Sequence, residues 1–336
     1  MAKKTKDIIE IGDKWACALR EQKGEPFIYC YYNENLIEEI PISVVVKCTP
    51  FNHLPEKEAK APFGGTFSID LIPEPKSLQR VATALNEVLT KSSQQSNAYI
   101  LSAESNAPSL AIATGGNSRH TYDDPELANM VATAEASLNL ASTGAAPVAF
   151  FKLPPYLDQR PHPTLGLVGL LPKELPQTTT AFGKKGEMIY LLGRSVEDIA
   201  SSEYLYTFHN IHPSPPSQMN PKEQSRLQTV LVEAIRNNLI TGIHSVTKGG
   251  VFFTLLESSM PNSIGFDITT DAEIREDAFL FGESLGRFIA SVSEENDVAF
   301  VDLFTRNNVT ITTLGHTTKG EIRVDDISYG FVQDYE

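Results

Sequence analysis

The chain has 336 residues, of which 41% are hydrophobic and 21% charged, a balance that excludes a disordered chain and predicts a globular core. Its formal net charge of -14 and pI of about 5.0 argue against nucleic acid and anionic membrane surfaces as partners. The three cysteines show no C-x-x-C spacing, and no run of about 18 apolar residues occurs, so we expect no zinc site, no disulfide framework, no membrane span and a cytoplasmic location.

The first 60 residues are expected to form a strand-rich N-terminal segment. The β-branched stretch from Glu39 to Val46 predicts a short buried or edge strand. The stretch from Asn52 to Gly65 contains two prolines and a Gly-Gly pair, which indicates a linker or a long loop.

The next part of the chain predicts two helices and two strands. Ser77 is expected to cap a helix whose apolar face consists of Leu78, Val81, Ala82, Leu85, Val88 and Leu89. Asp124 and Pro125 predict the start of a second helix, which ends at Gly144 and buries Leu127, Val131, Ala134, Leu138 and Ala141. Strands are predicted at 109–114 and 164–171, and the proline-rich stretch 152–163 is expected to be irregular.

The last part mixes strands and helices without strict βαβ alternation, so the predicted class is α/β or α+β. Ser195 and Asp198 suggest the cap of a helix that runs toward His209. Further helices are predicted after the cap residue Asn220, at 251–258 and at 295–306. Strands are predicted at 187–192, 264–268, 287–292, 310–315 and 320–324.

One candidate anion site lies in the loop from His244 to Gly250. Gly249 and Gly250 allow a ligand to approach the backbone, the following helix offers unpaired N–H groups, and Lys248 adds a positive charge, which together would suit a phosphate. The alternative is a plain turn with a solvated lysine, and the residues alone favour that alternative slightly.

A second candidate is the segment from Gly115 to His120, with Asp123 and Asp124 behind it. A glycine pair at a strand end beside Arg119 could also hold a phosphate. Because Asp124 is expected to cap the next helix, only Asn117, Arg119 and Asp123 are left for binding.

A third candidate is an acidic run that could bind magnesium through carboxylate oxygens. We expect it instead to be a solvated face of an acidic protein. The run consists of Asp267, Asp271, Glu273, Glu276, Asp277 and Glu283. The sequence contains no Walker A loop, no H-E-x-x-H and no dinucleotide-binding glycine motif.

Several segments resemble, in the same order, the second half of formylglycinamidine ribonucleotide synthetase, the ATP-dependent ligase of purine biosynthesis. The resemblance is dense from about residue 107 to the end. The matching segments are Asn117-Ser118-Arg119, Thr143-Gly144-Ala145, Pro163-Thr164-Leu165-Gly166, Ser202-Glu203-Tyr204-Leu205, His244 to Gly250, Phe266 to Asp277, Leu280 to Ser284 and Leu314 to Gly320.

The resemblance implies an aminoimidazole-ribonucleotide-synthetase-like architecture. Residues 61–175 would form a truncated N domain that builds a barrel with a partner copy, and residues 176–336 would form the C-terminal α/β domain. In the full ligase the first half activates the substrate amide with ATP for attack by ammonia. The second half holds an auxiliary nucleotide with magnesium, mainly in a structural role.

The departures from the family pattern concern its metal ligands. The family loop is H-D-V-S-D-G-G, and this chain has Ser245 and Lys248 at the two Asp positions. Gly115 replaces a third Asp, and the family segment that corresponds to 148–161 is much shorter here. ATP or ADP is therefore the possible ligand, magnesium is doubtful, and no catalytic or metal residue is assigned. By resemblance, the nucleotide or phosphate would contact Asn117, Arg119, His244, Lys248, Gly249, Gly250 and Glu283.

The preferred interpretation is a catalytically degenerate binding or assembly paralogue linked to purine biosynthesis, and not an enzyme on its own. It would act as a homodimer joined through the open N-domain sheet or with a ligase-like partner chain. One alternative is an ATP-dependent C–N ligase that is one subunit of a split synthase. Another is a folded remnant that binds nothing.

Overall fold

The computed structural model describes residues 8–11, 14–22, 25–48, 67–89, 97–102, 107–116, 125–153, 164–175, 177–211 and 219–336. Within these ranges the chain forms three β-sheets and the helices α1 to α7. The mixed α/β class predicted from the sequence is confirmed.

The first sheet is an antiparallel meander of four strands in the order β1-β2-β3-β4. The strands are β1 (Ile8–Ile11), β2 (Trp15–Gln22), β3 (Glu25–Tyr32) and β4 (Asn35–Pro41). The turn between β3 and β4 places Asn33 and Glu34 at φ values of 48° and 63°, the backbone that two-residue hairpins need.

The strand predicted at 39–46 is wrong in its second half, because β4 ends at Pro41 and helix α1 (Ile42–Cys48) follows. Ile42 and Val45, three residues apart, are both buried in the core beneath the meander. Burial of this helical stripe outweighs the β-propensity of three consecutive valines.

The second sheet has four antiparallel strands in the order β5-β6-β8-β7. The strands are β5 (Tyr99–Leu101), β6 (Ser109–Gly115), β7 (Ala146–Leu153) and β8 (Thr164–Leu171). Leu110, Ile112 and Val168 on one face pack with the meander. Ala111 and Ala113 on the other face pack against α3 (Pro125–Ala141), because small side chains let the helix lie close to the sheet.

The meander covers the second sheet from edge to edge. Strand β1 contacts β7 on one side. On the other side, the Tyr99 hydroxyl of β5 donates a hydrogen bond to Glu38 Oε1 of β4 at 3.0 Å. The Trp15 indole donates to the Pro108 carbonyl at 3.0 Å. The sheet that was expected to stay open therefore has both faces covered by this chain.

The third sheet has the order β10-β12-β9-β13-β11-β14-β15 and is antiparallel except between β11 and β14. The strands are β9 (Met188–Leu192), β10 (Gly242–Ser245), β11 (Phe266–Ile268), β12 (Phe288–Val292), β13 (Ile311–Thr317), β14 (Glu321–Val324) and β15 (Ile327–Phe331). Strands β10 and β15 were missed in the sequence, as was β7.

Helices cover both faces of the third sheet. One face packs on α2 (Leu78–Leu89), α5 (Gly250–Ser259) and α6 (Glu276–Phe281), and the other on α4 (Pro221–Arg236) and α7 (Asp297–Arg306). The alternation along β9 follows this arrangement, with Ile189 and Leu191 on the first face and Tyr190 and Leu192 on the second.

The helix starts predicted after Ser77 and Asn220 are confirmed by capping contacts. The N–H of Arg80 donates to Ser77 Oγ at 3.3 Å, and Asn220 Oδ1 accepts from the N–H of Lys222 at 3.1 Å. Val88, predicted on the buried face of α2, is 46% exposed. Ala134, predicted on the buried face of α3, is only half-buried.

The helix predicted from Ser195 to His209 is wrong, since only one π-helical turn, Tyr204–Phe208, forms there. Asp198 instead accepts a hydrogen bond from the N–H of Ala200 at 2.7 Å in the preceding turn. The expected linker 52–65 and the cap residue Asp124 lie outside the described residues. None of the described helices combines the length and the apolar character that a bilayer crossing requires.

Candidate functional site

An open cleft lies where the end of β6 and the helix α3 face the loop after β10 and the start of β12. Its empty volume is about 530 Å³, part of which is open to solvent. Gly116, Glu135 and Asn139 line one wall. The other wall consists of Ser245–Thr247, Glu283 and Leu285–Phe288. The cleft therefore joins segments that are more than a hundred residues apart in the sequence.

The loop after β10 depends on two glycines. Gly249 and Gly250 have φ values of +77° and +71°, a region that side chains disfavour. A Cβ on Gly250 would lie 2.6 Å from the Leu280 carbonyl oxygen, so α5 starts against the backbone of α6. Gly250 is thus required by a close backbone approach, and Gly249 by its positive φ and by the side chains of Leu89 and Phe253 packed against it.

Glu283 serves as the anion at the start of α5. Its Oε1 atom accepts hydrogen bonds from the N–H of Gly249 at 2.8 Å and from the N–H of Glu203 at 2.7 Å. The N–H of Gly250 donates to the Thr247 carbonyl at 3.0 Å. Both N–H groups expected to hold a phosphate therefore have partners within the chain, and a bound phosphate would contact other groups of the cleft.

Arg287 is one of the residues of the cleft wall, and its side chain is almost fully buried. Its Nη2 and Nε atoms donate to the carbonyls of Gly282 at 2.6 Å and Ser284 at 3.3 Å. Burial lowers its pKa to about 10, while the charges of Glu283 and Asp198 act in the opposite direction. The guanidinium consequently remains charged at neutral pH.

Two polar residues of α3 that were missed in the sequence face the cleft. Glu135 Oε2 accepts a hydrogen bond from the N–H of Gly116 at 2.8 Å. Burial raises the pKa of Glu135 to about 7, and this hydrogen bond offsets only part of the effect. Asn139 lies one helical turn further and donates to the Thr114 carbonyl at 3.2 Å. Their spacing of four residues among alanines and leucines was the available signal.

A pair of ionisable residues, the buried His244 and the partly buried Glu257, lies behind the loop. His244 Nδ1 is 3.2 Å from Ser258 Oγ, whose hydroxyl donates to the Thr254 carbonyl, so Nδ1 is the donor and Nε2 carries the lone pair. Nε2 is 3.4 Å from Glu257 Oε2. Burial lowers the pKa of His244 to about 4 and raises that of Glu257 to about 8. At neutral pH both groups are therefore mostly uncharged.

Lys248 interacts with Glu257 and is not among the residues that line the cleft. Its charge lowers the pKa of Glu257, although burial has the larger, opposite effect. Lys248 therefore acts on a neighbouring carboxyl group.

The remaining predicted site residues are those after Gly116 and those of the acidic run. Asn117, Arg119 and Asp123 lie outside the described residues, directly after the cleft residue Gly116. The solvated acidic face is a wrong prediction for Asp277, which is buried in an ion pair with Arg275 at 2.7 Å, because α6 packs it into the core.

The same prediction is wrong for Glu283, which is buried and bonded at the start of α5. No group of three or more His, Cys, Asp or Glu side chains in the described ranges is arranged to hold a metal ion.

Comparisons with known proteins find the relatives that the resemblance in the sequence implied. Residues 167–327 match the family described as AIR synthase related protein, C-terminal domain. The PurL subunit of phosphoribosylformylglycinamidine synthase from Moorella thermoacetica is 27% identical over 262 residues, which cover 65% of this chain and 36% of the relative. The Leuconostoc mesenteroides subunit is 30% identical over 237 residues, 58% of this chain and 32% of the relative. The chain thus spans about a third of these relatives.

Two solved structures show the same fold at low sequence identity. T. maritima PurL complexed with FGAR superposes with a TM-score of 0.58 at 12% identity, over 79% of this chain and 54% of that chain. T. maritima PurL complexed with ATP gives a TM-score of 0.55 at 12% identity, over 71% of this chain and 46% of that chain. The resemblance stated from the sequence is confirmed: this chain is similar to PurL subunits and shares their fold, and residues 167–327 match the AIR synthase related C-terminal domain.

Proposed function

We propose that this chain is a cytoplasmic binding or assembly protein linked to purine biosynthesis, and that it holds the phosphates of ADP or ATP in the cleft without catalysing a ligation on its own. The observation that carries the proposal is the convergence, in one cleft, of Gly116, the segment Ser245–Thr247 and Arg287, whose buried guanidinium is charged at neutral pH.

The chemistry of the cleft supports a nucleotide as the ligand. Arg287 supplies the positive charge, and the backbone around Ser245 and Thr247 supplies polar contacts. Among the similar solved structures is T. maritima PurL complexed with ADP, a ligand that we transfer to this chain as a proposal.

Weak dependence on magnesium is part of the proposal. Glu283 already accepts two backbone hydrogen bonds through one oxygen. Glu135, with a pKa of about 7, is about half protonated at neutral pH and is then a poorer ligand for a hard cation. Ser245 and Lys248 add no carboxylate. The cleft contains two carboxyl groups, Glu135 and Glu283, which is more than the sequence led us to expect. Glu283 is already hydrogen-bonded to the backbone, and Glu135 is only partly ionised at neutral pH.

Calorimetric titration with ADP tests the proposed binding. Leu285→Trp would fill the cleft from its half-buried wall, and we expect it to weaken binding at least tenfold. Leu71→Trp is the matched control, because Leu71 is 76% exposed and lies outside the lining. Binding that is unchanged in Leu285→Trp would remove the nucleotide from this cleft, and no binding at all would leave only the remnant interpretation.

The alternative is that the chain is one subunit of a split ATP-dependent ligase. This is favoured by the relatives of the chain, which are subunits of phosphoribosylformylglycinamidine synthase and about three times as long as the matched region. It requires ATP hydrolysis that depends on formylglycinamide ribonucleotide and on a partner chain. Turnover by the purified chain alone, with that substrate and ammonia, would overturn the binding proposal.

For assembly we propose a homodimer, or a ligase-like partner, at the edge strand β7. Both faces of its sheet are covered, by the meander and by α3, so a second chain would add at the edge. Val148 and Phe150 on β7 are 53% and 64% exposed. Phe150→Lys should abolish a dimer seen by light scattering, and a monomer at high concentration would contradict the homodimer.

A further inference from the structure

Two cysteines face each other inside the meander. Cys17 on β2 lies directly opposite Cys30 on β3, and the two sulfur atoms are 3.8 Å apart. Both side chains are fully buried, among Trp15, Ile112 and other apolar residues. Buried cysteines often serve as small apolar side chains, so the pairing needs a second argument.

That argument comes from the register of the two strands. Antiparallel pairs alternate between hydrogen-bonded and non-hydrogen-bonded types. Pro26 has no N–H and lies opposite Glu21, which assigns that pair to the non-hydrogen-bonded type. Cys17 and Cys30 are four residues further along each strand without a register shift, so their pair is of the same type.

This type of pair brings the side chains close together. Opposed Cα atoms in non-hydrogen-bonded pairs are about 4.5 Å apart. Disulfides span Cα separations of about 4.4–6.8 Å. A bond between the two sulfur atoms therefore needs side-chain rotation, without a change in the pairing of the strands.

The resting form is the dithiol. The Cys17 thiol donates a hydrogen bond to Cys30 Sγ, and this contact together with burial raises the pKa of Cys30. Since the thiolate is the nucleophile and both thiols are buried, neither sulfur attacks a small disulfide while the meander is closed. Oxidation requires a transient opening of the strands.

We propose that Cys17 and Cys30 form a reversible intrachain disulfide that fastens β2 to β3. The co-reactant is a small disulfide such as oxidised glutathione. One cysteine thiolate attacks its S–S bond and releases one thiolate, and the second cysteine then attacks the mixed disulfide and releases the other. Two protein thiols are oxidised, one small disulfide is reduced to two thiols, and two protons move to the released thiolates.

The bond would strengthen the layer that covers the second sheet. Cys17 and Cys30 share one apolar core with Leu110 and Val168 of that sheet. A cross-link within the meander limits the freedom of the unfolded chain, so the oxidised protein should melt at a higher temperature than the reduced one.

Thiol counting and mass spectrometry on the intact chain test the proposal. After incubation with oxidised glutathione at a sub-denaturing urea concentration, accessible plus buried thiols should fall from three to one, with a mass loss of two hydrogens. In Cys48→Ala the count should fall from two to zero, and a reductant should reverse both changes. Cys30→Ala and, as a second substitution in case that variant is unstable, Cys17→Val should form no intrachain bond.

Three free thiols after oxidation, a lasting glutathione adduct, or a peptide map that links Cys48 to either partner would each overturn the proposal. An unchanged melting temperature in the fully oxidised protein would overturn the inferred role in fastening the meander.

Discussion

The carboxylate of Glu283 and the backbone N–H of Gly249 are joined by a hydrogen bond of 2.8 Å across 34 residues of sequence. The same oxygen also accepts from the N–H of Glu203. One side chain thus holds the start of α5, the end of α6 and the turn before Tyr204 together at the wall of the cleft. Its removal should affect stability before it affects binding.

Glu283→Gln should lower the free energy of unfolding by about 2–3 kcal/mol, because charge-assisted hydrogen bonds in a buried site are weakened and Arg287 loses a neighbouring anion. Urea denaturation monitored by circular dichroism measures the change. Glu273→Gln is the control, since Glu273 is exposed, and should shift the value by less than about 0.5 kcal/mol. Equal losses in the two variants would show that Glu283 does not hold the loop.

Gly250→Ala should destabilise the fold far more than Gly186→Ala. Both glycines have positive φ, +71° and +87°, so both substitutions carry a backbone cost of about 1–2 kcal/mol. Only at Gly250 would the new Cβ also press on backbone atoms, while Gly186 has nothing within 4 Å. Melting temperatures of the two variants compare the effects directly, and equal shifts would refute the close packing of α5 against α6.

The pair Glu257 and His244 should give the folded protein a characteristic pH dependence. The folded pKa of Glu257 is raised from 4.5 to about 8, so its contribution to stability is complete below pH 4.5 and is lost as pH rises to about 8. The folded pKa of His244 is lowered from 6.5 to about 4, so its contribution is present above pH 6.5 and is lost as pH falls toward 4.

Between pH 4.5 and 6.5 the two contributions oppose each other, and the net loss is therefore concentrated between pH 6.5 and 8. Its size is at most about 1.4 kcal/mol per pH unit. Glu257→Gln should reduce this loss to the smaller part that comes from Glu135, whose pKa is raised to about 7, whereas Glu295→Gln, at an exposed position of the described chain, should retain it in full. Denaturation curves at pH 6.5 and 8 measure the difference, and an equal loss in the two variants would contradict the assignment.

Nucleotide affinity should fall as pH rises through about 7. Burial raises the pKa of Glu135 to about 7, so deprotonation above this pH adds a negative charge to the cleft wall beside the phosphates. We expect ADP to bind roughly tenfold more weakly at pH 8 than at pH 6, an effect of about 1.4 kcal/mol. Glu135→Gln should flatten this profile while the ionisation of ADP itself stays the same. If the pH dependence of ADP affinity is unchanged in Glu135→Gln, the charge of Glu135 does not affect the bound nucleotide.

The sequence predicted the helices and strands whose capping residues and apolar patterns match the faces that they bury in the fold. Asn220, with proline after it and a regular apolar stripe, marked the start of α4, and the pattern of β-branched and apolar residues marked β9 and β12. It failed at α1, where tertiary burial overrode the preference of valine for strands. Short strands such as β10, with four residues, carry too little pattern to be recognised.

The candidate site was predictable only where a local sequence motif marked its residues. The glycine pair and Glu283 stood in recognisable motifs, so the loop could be found from the sequence. Glu135 faces the cleft only because α3 lies across β6, a relation that no local pattern specifies. The meander's coverage of the second sheet also depends on contacts between segments far apart in the chain.

The central claim is that the cleft binds the phosphates of a nucleotide without relying on a divalent cation. Calorimetric titration of the intact chain with ADP, in excess magnesium and again in excess chelator, tests it most directly. We predict measurable binding in both solutions, with dissociation constants within about threefold of each other, a difference below 1 kcal/mol. Binding that occurs only with magnesium and disappears in Glu135→Gln would contradict the claim.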